Sequence, residues 1–204
     1  MNPITGNIII VTTGFGDERE ILLLHKPGWN EKDEERKHLG KRMRIGIGKW
    51  GMPGGGDEPG DPNKLYGVKR ELLQETGLQL PDNAFRKVGV LEGYRQYNGE
   101  APKLIWVPEI YLARTDQKMP VRINPDEHDE YRWFRIGGDP MRSEIPWGQM
   151  IQSDRDWLAE LLHPTCKPRE SEGAYPANGL SVQVYFKGDT EEPLNCVKQW
   201  ASFH

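Results

Sequence analysis

The stretch GGGDEPGDPNKLYGVKRELLQETGL, Gly54 to Leu78, passes from glycine-rich to helical and carries acids throughout. Leu65, Val68, Leu72 and Leu73 recur at helical spacing, and Gly77 stands where a C-cap glycine belongs, which predicts a helix over about Asn63 to Thr76. Residues four apart share a helix face, so Glu71 and Glu75 project together with Gln74 beside them. Two carboxylates this close repel unless a cation or an arginine lies between them. Hard oxygen donors of this kind suit Mg2+ or Mn2+, ions that bind phosphate oxygens as well. The apolar side, Leu65, Val68 and Leu72, is expected to bury against a sheet and hold the acids on a rigid support. The glycines ahead of the helix can bring backbone N–H groups close to an anion.

Working outward, Asn7 to Thr13 and Glu20 to His25 read as strands joined by a glycine-containing turn. Residues 28–44 are highly charged without lasting apolar periodicity and read as an exposed insertion, after which Ile45 to Met52 resumes strand character. Phe85 to Tyr97 and Lys103 to Arg114 read as two long strands; Pro108 in the second predicts an edge or a bulge. A short strand is expected near Tyr131 to Arg135, then a helix capped by Ser153 with Trp157, Leu158, Leu161 and Leu162 on its face. Strands mixed with two helices point to an α/β layered domain, the sheet between helices. The organisation predicted is a domain over 1–163 and a C-terminal extension over 164–204, in which LSVQVYF, Leu180 to Phe186, could add a strand.

The 27 Lys and Arg against 31 Asp and Glu leave a net charge of −4, which argues against wholesale binding to a nucleic-acid backbone. The run Ile8 to Val11 is too short for a secretory or membrane segment, so a soluble, cytoplasmic protein without membrane association is expected. Cys166 and Cys196 read as structural thiols. The five histidines are scattered without HExxH spacing, which makes a histidine-based metal site improbable. No GxxxxGK[ST] and no GxSxG is present, which excludes a P-loop and a serine elbow.

The run Trp50-Gly51-Met52-Pro53-Gly54-Gly55, followed by Arg70-Glu71-Leu72-Leu73-Gln74-Glu75-Thr76-Gly77-Leu78, resembles the Nudix box, Gx5Ex7REUxEExGU with U aliphatic. The resemblance covers roughly Ile4 to Leu162. It implies an α/β/α sandwich with a mixed sheet and a hydrolase cutting a diphosphate linked to another moiety with Mg2+ or Mn2+. By position, Glu71 and Glu75 are the implied principal metal ligands, Gln74 a weaker one, and Arg70 the group that holds Glu71. Two departures stand out: the early glutamate of the box has no clean match, the nearest acid being Asp61, and Gln74 replaces the first of the paired glutamates.

The acidic segment NPDEHDEYRWF offers a base from a later loop, and Glu127 is favoured because its spacing before Trp133 resembles that of the acid ahead of the family's strand signature. Gly54, Gly55 and Gly56, with Lys49 and Arg44 nearby, are the candidate substrate contacts. Trp29, Tyr94, Arg95 and Trp106 could stack on a base or pair with phosphate, although a lone strand tryptophan such as Trp106 reads first as core. The expected substrate is a nucleotide-type small molecule, with an RNA end as an alternative. A second reading is a catalytically weak Nudix-fold module that binds nucleotides or RNA ends, and a homodimer joined through the tail is a further expectation.

Overall fold

A computed structural model describes residues 2–29, 31–38, 46–97, 100–138, 142–162, 178–187 and 193–202. The helix of the opening stretch forms as its caps dictate. Helix α2, Lys64–Thr76, starts at Asn63, whose side chain accepts from the Tyr66 N–H, and stops at Gly77, left-handed at φ 70°. Val68 and Leu72 are fully buried under it, whereas Leu73 turns out to be exposed.

The strands are β1 (Ile4–Thr13), β2 (Glu20–His25), β3 (Trp50–Gly51), β4 (Gly54–Gly56), β5 (Phe85–Gln96), β6 (Lys103–Thr115), β7 (Glu130–Arg135), β8 (Asn178–Lys187) and β9 (Pro193–Ser202). They form one mixed sheet in the order β3-β2-β1-β6-β5-β8-β9, with β4 also paired to β1 and β7 to β2. The β1–β6 and β5–β8 pairs are parallel, the others antiparallel. Alternation along β1 sends Ile9 and Val11 to the α2 side and Ile8 and Ile10 to the opposite side. There α3 (Gln152–Leu162) packs Trp157, Leu158, Leu161 and Leu162 into the second core. The sandwich of helices about a mixed sheet is therefore the architecture found.

Several local expectations change. Gly54–Gly56 is a strand rather than a loop: Gly54 pairs with Ile8 and Gly56 with Gly6. The close approach needs glycine, because a Cβ on Gly54 would lie 2.3 Å from the Asn7 carbonyl oxygen, and its φ is 150°. The strand foreseen over Ile45 to Met52 shrinks to Trp50–Gly51 behind a turn at Gly46 to Gly48. Ser153 lies inside α3, which begins one residue earlier. Pro108 sits in an interior strand, opposite Gly6 of β1, and not at an edge; the register shifts of the β5–β6 pair fall between Lys87 and Gly89 and between Gly93 and Tyr94. Within the charged insertion a helix, α1, spans Glu31–His38.

The alternating patch of the tail does join the sheet. Leu180, Val182 and Val184 of β8 are fully buried in the α3-side core, so the extension shares the hydrophobic core of the domain. Cys196 on β9 is half-buried and forms no disulfide among the described residues; Cys166 falls outside them. Among the described residues no helix is long and apolar enough to cross a membrane.

Candidate active site

The exposed side of α2 faces β4. Glu75 sits in the last turn, buried, and its carboxylate accepts a 2.7 Å hydrogen bond from the Gly54 N–H. One turn earlier, Glu71 packs its carboxyl onto Gly55, where a Cβ would lie 2.5 Å from the carboxyl carbon. The glycines thus make room for two acids and hold one of them. This differs from the anion-binding loop expected of them, since the Gly54 amide is already committed to Glu75.

Arg70 fastens the arrangement. Its Nε and Nη2 donate to the two oxygens of Asp61 at 3.1 and 3.0 Å, and Nη2 also donates to the Gly56 carbonyl at 3.1 Å. Its Nη1 donates to Glu71 at 2.8 Å and to the Gln74 amide oxygen at 3.1 Å, and pairs with Glu58 at 3.0 Å. The forked, planar guanidinium is the group that can meet so many oxygens at fixed angles. Asp61, the acid nearest to the early position of the box, is spent on this clamp, and the hydrogen bonds from Arg70 hold its carboxyl below the usual range. Gln74 is exposed with its oxygen turned to the clamp.

The third component arrives from a distant loop. The Asn124 and Arg122 N–H groups donate to the carbonyls of Glu75 and Thr76, which docks the segment on the end of α2. The Asp129 N–H donates to the His25 carbonyl, and the Asp129 carboxylate pairs with the His25 ring at 2.6 Å. Held at both ends, the loop brings His128 Nε2 to 3.2 Å from Glu75 and sets Glu127 alongside. Ligand atoms of Glu75, Glu127 and His128 lie within 4.8 Å of one another. His128 is buried; the sequence offers it only within the segment NPDEHDEYRWF, where Glu127 is preferred, and its place beside Glu75 corrects the expectation that the scattered histidines stay out of a metal-type cluster.

The electrostatics fit a cation. Burial pushes the Glu71 carboxyl above its ordinary value despite the bond from Arg70, and the charges of Glu75 and Glu127 add to the rise. Lost hydration and the Glu75 charge raise Glu127 likewise. Like charges gathered at a cost mark a place where a positive charge belongs. Several carboxylate oxygens with one imidazole form a donor set suited to a divalent metal, and the absence of a side chain at Gly55 makes room for the Glu71 carboxyl among them.

Among the remaining sequence candidates, Lys49 is exposed, and Arg44 lies outside the described residues. Trp29 is also exposed and donates through its indole to Glu34 at 2.6 Å. Tyr94 stacks on Tyr185, while Arg95 and Trp106 line a cavity beside Gly54–Gly56.

The family description NUDIX domain matches residues 6–137. No curated protein matches the chain. Among solved structures, a mutator MutT protein from Bacillus halodurans is similar at TM-score 0.62 and 20% identity, covering 96% of this chain and 97% of that one. The bifunctional NMN adenylyltransferase/ADP ribose pyrophosphatase of Francisella tularensis, solved with AMP and a Mn ion, gives TM-score 0.51 and 18% identity over 79% of this chain and 41% of that one. A MutT/nudix family protein from Enterococcus faecalis shows 18% identity and TM-score 0.47 over 66% of this chain, which spans 44% of that protein's length.

Proposed function

The chain belongs to the NUDIX domain family, hydrolases of phosphoric anhydride bonds, and from that premise we propose that it cleaves a nucleoside diphosphate linked to another moiety by water attack at phosphorus. The observation that carries this reading is the convergence of Glu71 and Glu75 on the Gly54–Gly56 strand, with Glu127 and His128 beside Glu75 and Arg70 holding Glu71. Glu71 and Glu75, with Gln74 at the margin, would hold Mg2+ or Mn2+, which neutralises diphosphate oxygens when bound.

The chain's own groups do the rest. Arg70 fixes the Glu71 carboxylate so that no reorganisation is needed at the moment of reaction. Glu127 takes the proton of the attacking water. Its carboxylate is exposed, its affinity for a proton is raised, and unlike Glu71 it has no arginine bound to it among the described residues. The docked loop keeps that base over the helix, and the proton passes from there to solvent. Gly55 and Gly56 form the floor on which the diphosphate lies.

A panel of nucleoside triphosphates, a nucleotide sugar, ADP-ribose, a dinucleoside polyphosphate and a 5′-triphosphorylated RNA tests the proposal. Release of a nucleoside monophosphate, pyrophosphate or phosphate that depends on Mg2+ or Mn2+ and stops with chelator is the expected result. Turnover of none of them would overturn it, and tight binding without turnover would favour the binding-module reading. Label from 18O-water should appear in a phosphate product.

The fit of Gly55 to Glu71 gives a separate prediction. Gly55→Ala forces the methyl group into the carboxyl or the carboxyl off the cluster. A displacement of about 1 Å in a catalytic group is enough to lower kcat/KM by about a hundredfold. Steady-state kinetics on whichever panel compound is turned over, with the melting curve as a control for folding, checks it.

A further inference from the structure

The loop that docks on the end of α2 carries five titratable side chains in succession, Asp126 to Glu130, and four of them are exposed. His128 is the exception, with 1% of its surface open to solvent. The turn is built to place it so. The N–H groups of Glu127 and His128 both donate to the Asn124 carbonyl, at 3.1 and 2.9 Å, and the Asn124 side chain accepts from the Asp126 N–H at 3.1 Å. Coiled in this way, the backbone turns one ring inward while its neighbours stay in water, and Nε2 of that ring stops 3.2 Å from Oε1 of Glu75.

A hydrogen bond to Glu75 is a poor reason to bury the ring. Nδ1 is buried as well and meets no hydrogen-bond partner among the described residues, a cost of the same order as what one bond returns. Nor does Glu75 need the ring for its orientation, since its other oxygen already accepts from the Gly54 N–H at 2.7 Å. A shared cation accounts for the same spacing. Around an octahedral ion with bonds of about 2.1 Å, neighbouring donor atoms stand about 3 Å apart, close to the separation of Nε2 and Oε1. With the ring proton on Nδ1, Nε2 turns a lone pair to a carboxylate, an approach that only a positive charge between them makes favourable.

We propose that His128 is a nitrogen ligand of the cation held by Glu75, and that through it the site selects a transition ion such as Mn2+ or Co2+ over Mg2+. The proposal rests on the reading of the acidic face of α2 as a cation site. The donors that α2 itself supplies, from Glu71, Glu75 and Gln74, are all oxygens, and such a set takes Mg2+ and Mn2+ alike. An imidazole alters the balance. Mg2+ gives up water reluctantly and prefers oxygen, whereas first-row transition ions gain from a nitrogen donor. The residue that decides the ion lies 53 positions after Glu75, so the preference is set by the docked loop and not by the helix.

The test needs no substrate. Nucleotide-free protein freed of metal by chelator is loaded with Mn2+ for electron spin echo spectroscopy, and titrated calorimetrically with Mn2+, Co2+ and Mg2+. Modulation from a directly bound imidazole 14N is expected in the wild type and its loss in His128→Gln, whose amide can still donate to Glu75 but offers no ring nitrogen. The same variant should bind Mn2+ and Co2+ roughly tenfold or more weakly, with Mg2+ affinity nearly unchanged. If His128→Gln does not fold, the wild-type spectrum decides, and 15N labelling of the histidine rings must then change the modulation. A Mn2+ spectrum without nitrogen coupling would reduce His128 to a hydrogen-bond donor and overturn the proposal. An unchanged ratio of Mn2+ to Mg2+ affinity in folded His128→Gln, or no uptake of Mn2+ by the wild type, would overturn it too. Turnover in the substrate panel without nitrogen coupling would sink this proposal and leave the hydrolase reading standing; nitrogen coupling without turnover would do the reverse.

Discussion

Glu71→Gln is expected to lower kcat/KM by about a thousandfold, or about 4 kcal/mol of transition-state stabilisation, while leaving the protein folded and, without metal, more stable. The loss of activity follows from position. Glu71 lies on the cluster face of α2, against Gly55 and bonded to Arg70, so removing its charge weakens the cation site without changing the side chain's shape. The gain in stability follows from the raised proton affinity of the same carboxyl, which burial causes and the Glu75 and Glu127 charges increase. A carboxyl whose folded pKa lies above its unfolded value binds more protons in the native state. Its contribution to stability is therefore greatest at low pH and declines as pH rises from the unfolded value through the folded one. Glutamine removes that decline. At neutral pH in chelator the melting midpoint should rise. A variant that retained turnover, or lost it by unfolding, would contradict the role given to Glu71.

The second large effect is expected at Arg70, which touches no phosphate in this reading and acts through its neighbours. Arg70→Ala frees Glu71, Gln74, Asp61 and the Gly56 carbonyl at once. The predicted outcome is a fall in kcat/KM of about a hundredfold or more, carried by kcat, together with a lower melting midpoint, since a nearly buried Asp61 is left without its partner. Arg70→Lys should recover part of the stability and little of the rate, because an ammonium is a point charge and cannot span two carboxylates and a carbonyl at fixed angles. Asp61→Asn should lower stability in the same direction, and the double variant with Arg70→Ala should fall short of the sum of the two single effects, as groups in direct contact do. Fully additive effects would separate Asp61 from the clamp.

The clamp also explains why the box departs from its usual spacing without losing its geometry. Asp61 is one residue out of step and one methylene shorter than glutamate, yet both of its oxygens reach Arg70, and one also accepts from the Glu58 N–H. The turn at Glu58 to Asp61, closed by the Asp61 N–H to the Glu58 carbonyl, takes up the extra residue. Gln74, the second departure, adds an acceptor for Arg70 without adding a charge.

What could be read directly from the residues is local. Helix α2 and its boundaries follow from Asn63, the apolar spacing and Gly77, because capping and periodicity act within a few residues. The shared face of Glu71 and Glu75 follows from helix geometry alone. The family resemblance rests on the same segment, and the match over 6–137 agrees with it.

Tertiary structure decided the rest, because those contacts join residues far apart in the chain. His128 meets Glu75 across 53 positions, brought there by backbone hydrogen bonds to the end of α2 that no periodicity announces. Gly54 to Gly56 form a strand because they pair with β1, which Gly54 meets at a separation no side chain permits, while Gly55 leaves room for Glu71 on its other contact. Phe186 reaches the cavity because β8 pairs in parallel with β5, more than 90 residues earlier, in a register fixed by burying Leu180, Val182 and Val184. The sequence by itself determined which side chains could bind a cation and the helix that carries two of them. Only the packing of sheet and loops determined which acid is spent on Arg70, which loop completes the cluster and which aromatic rings stand beside it, since each depends on contacts between distant segments.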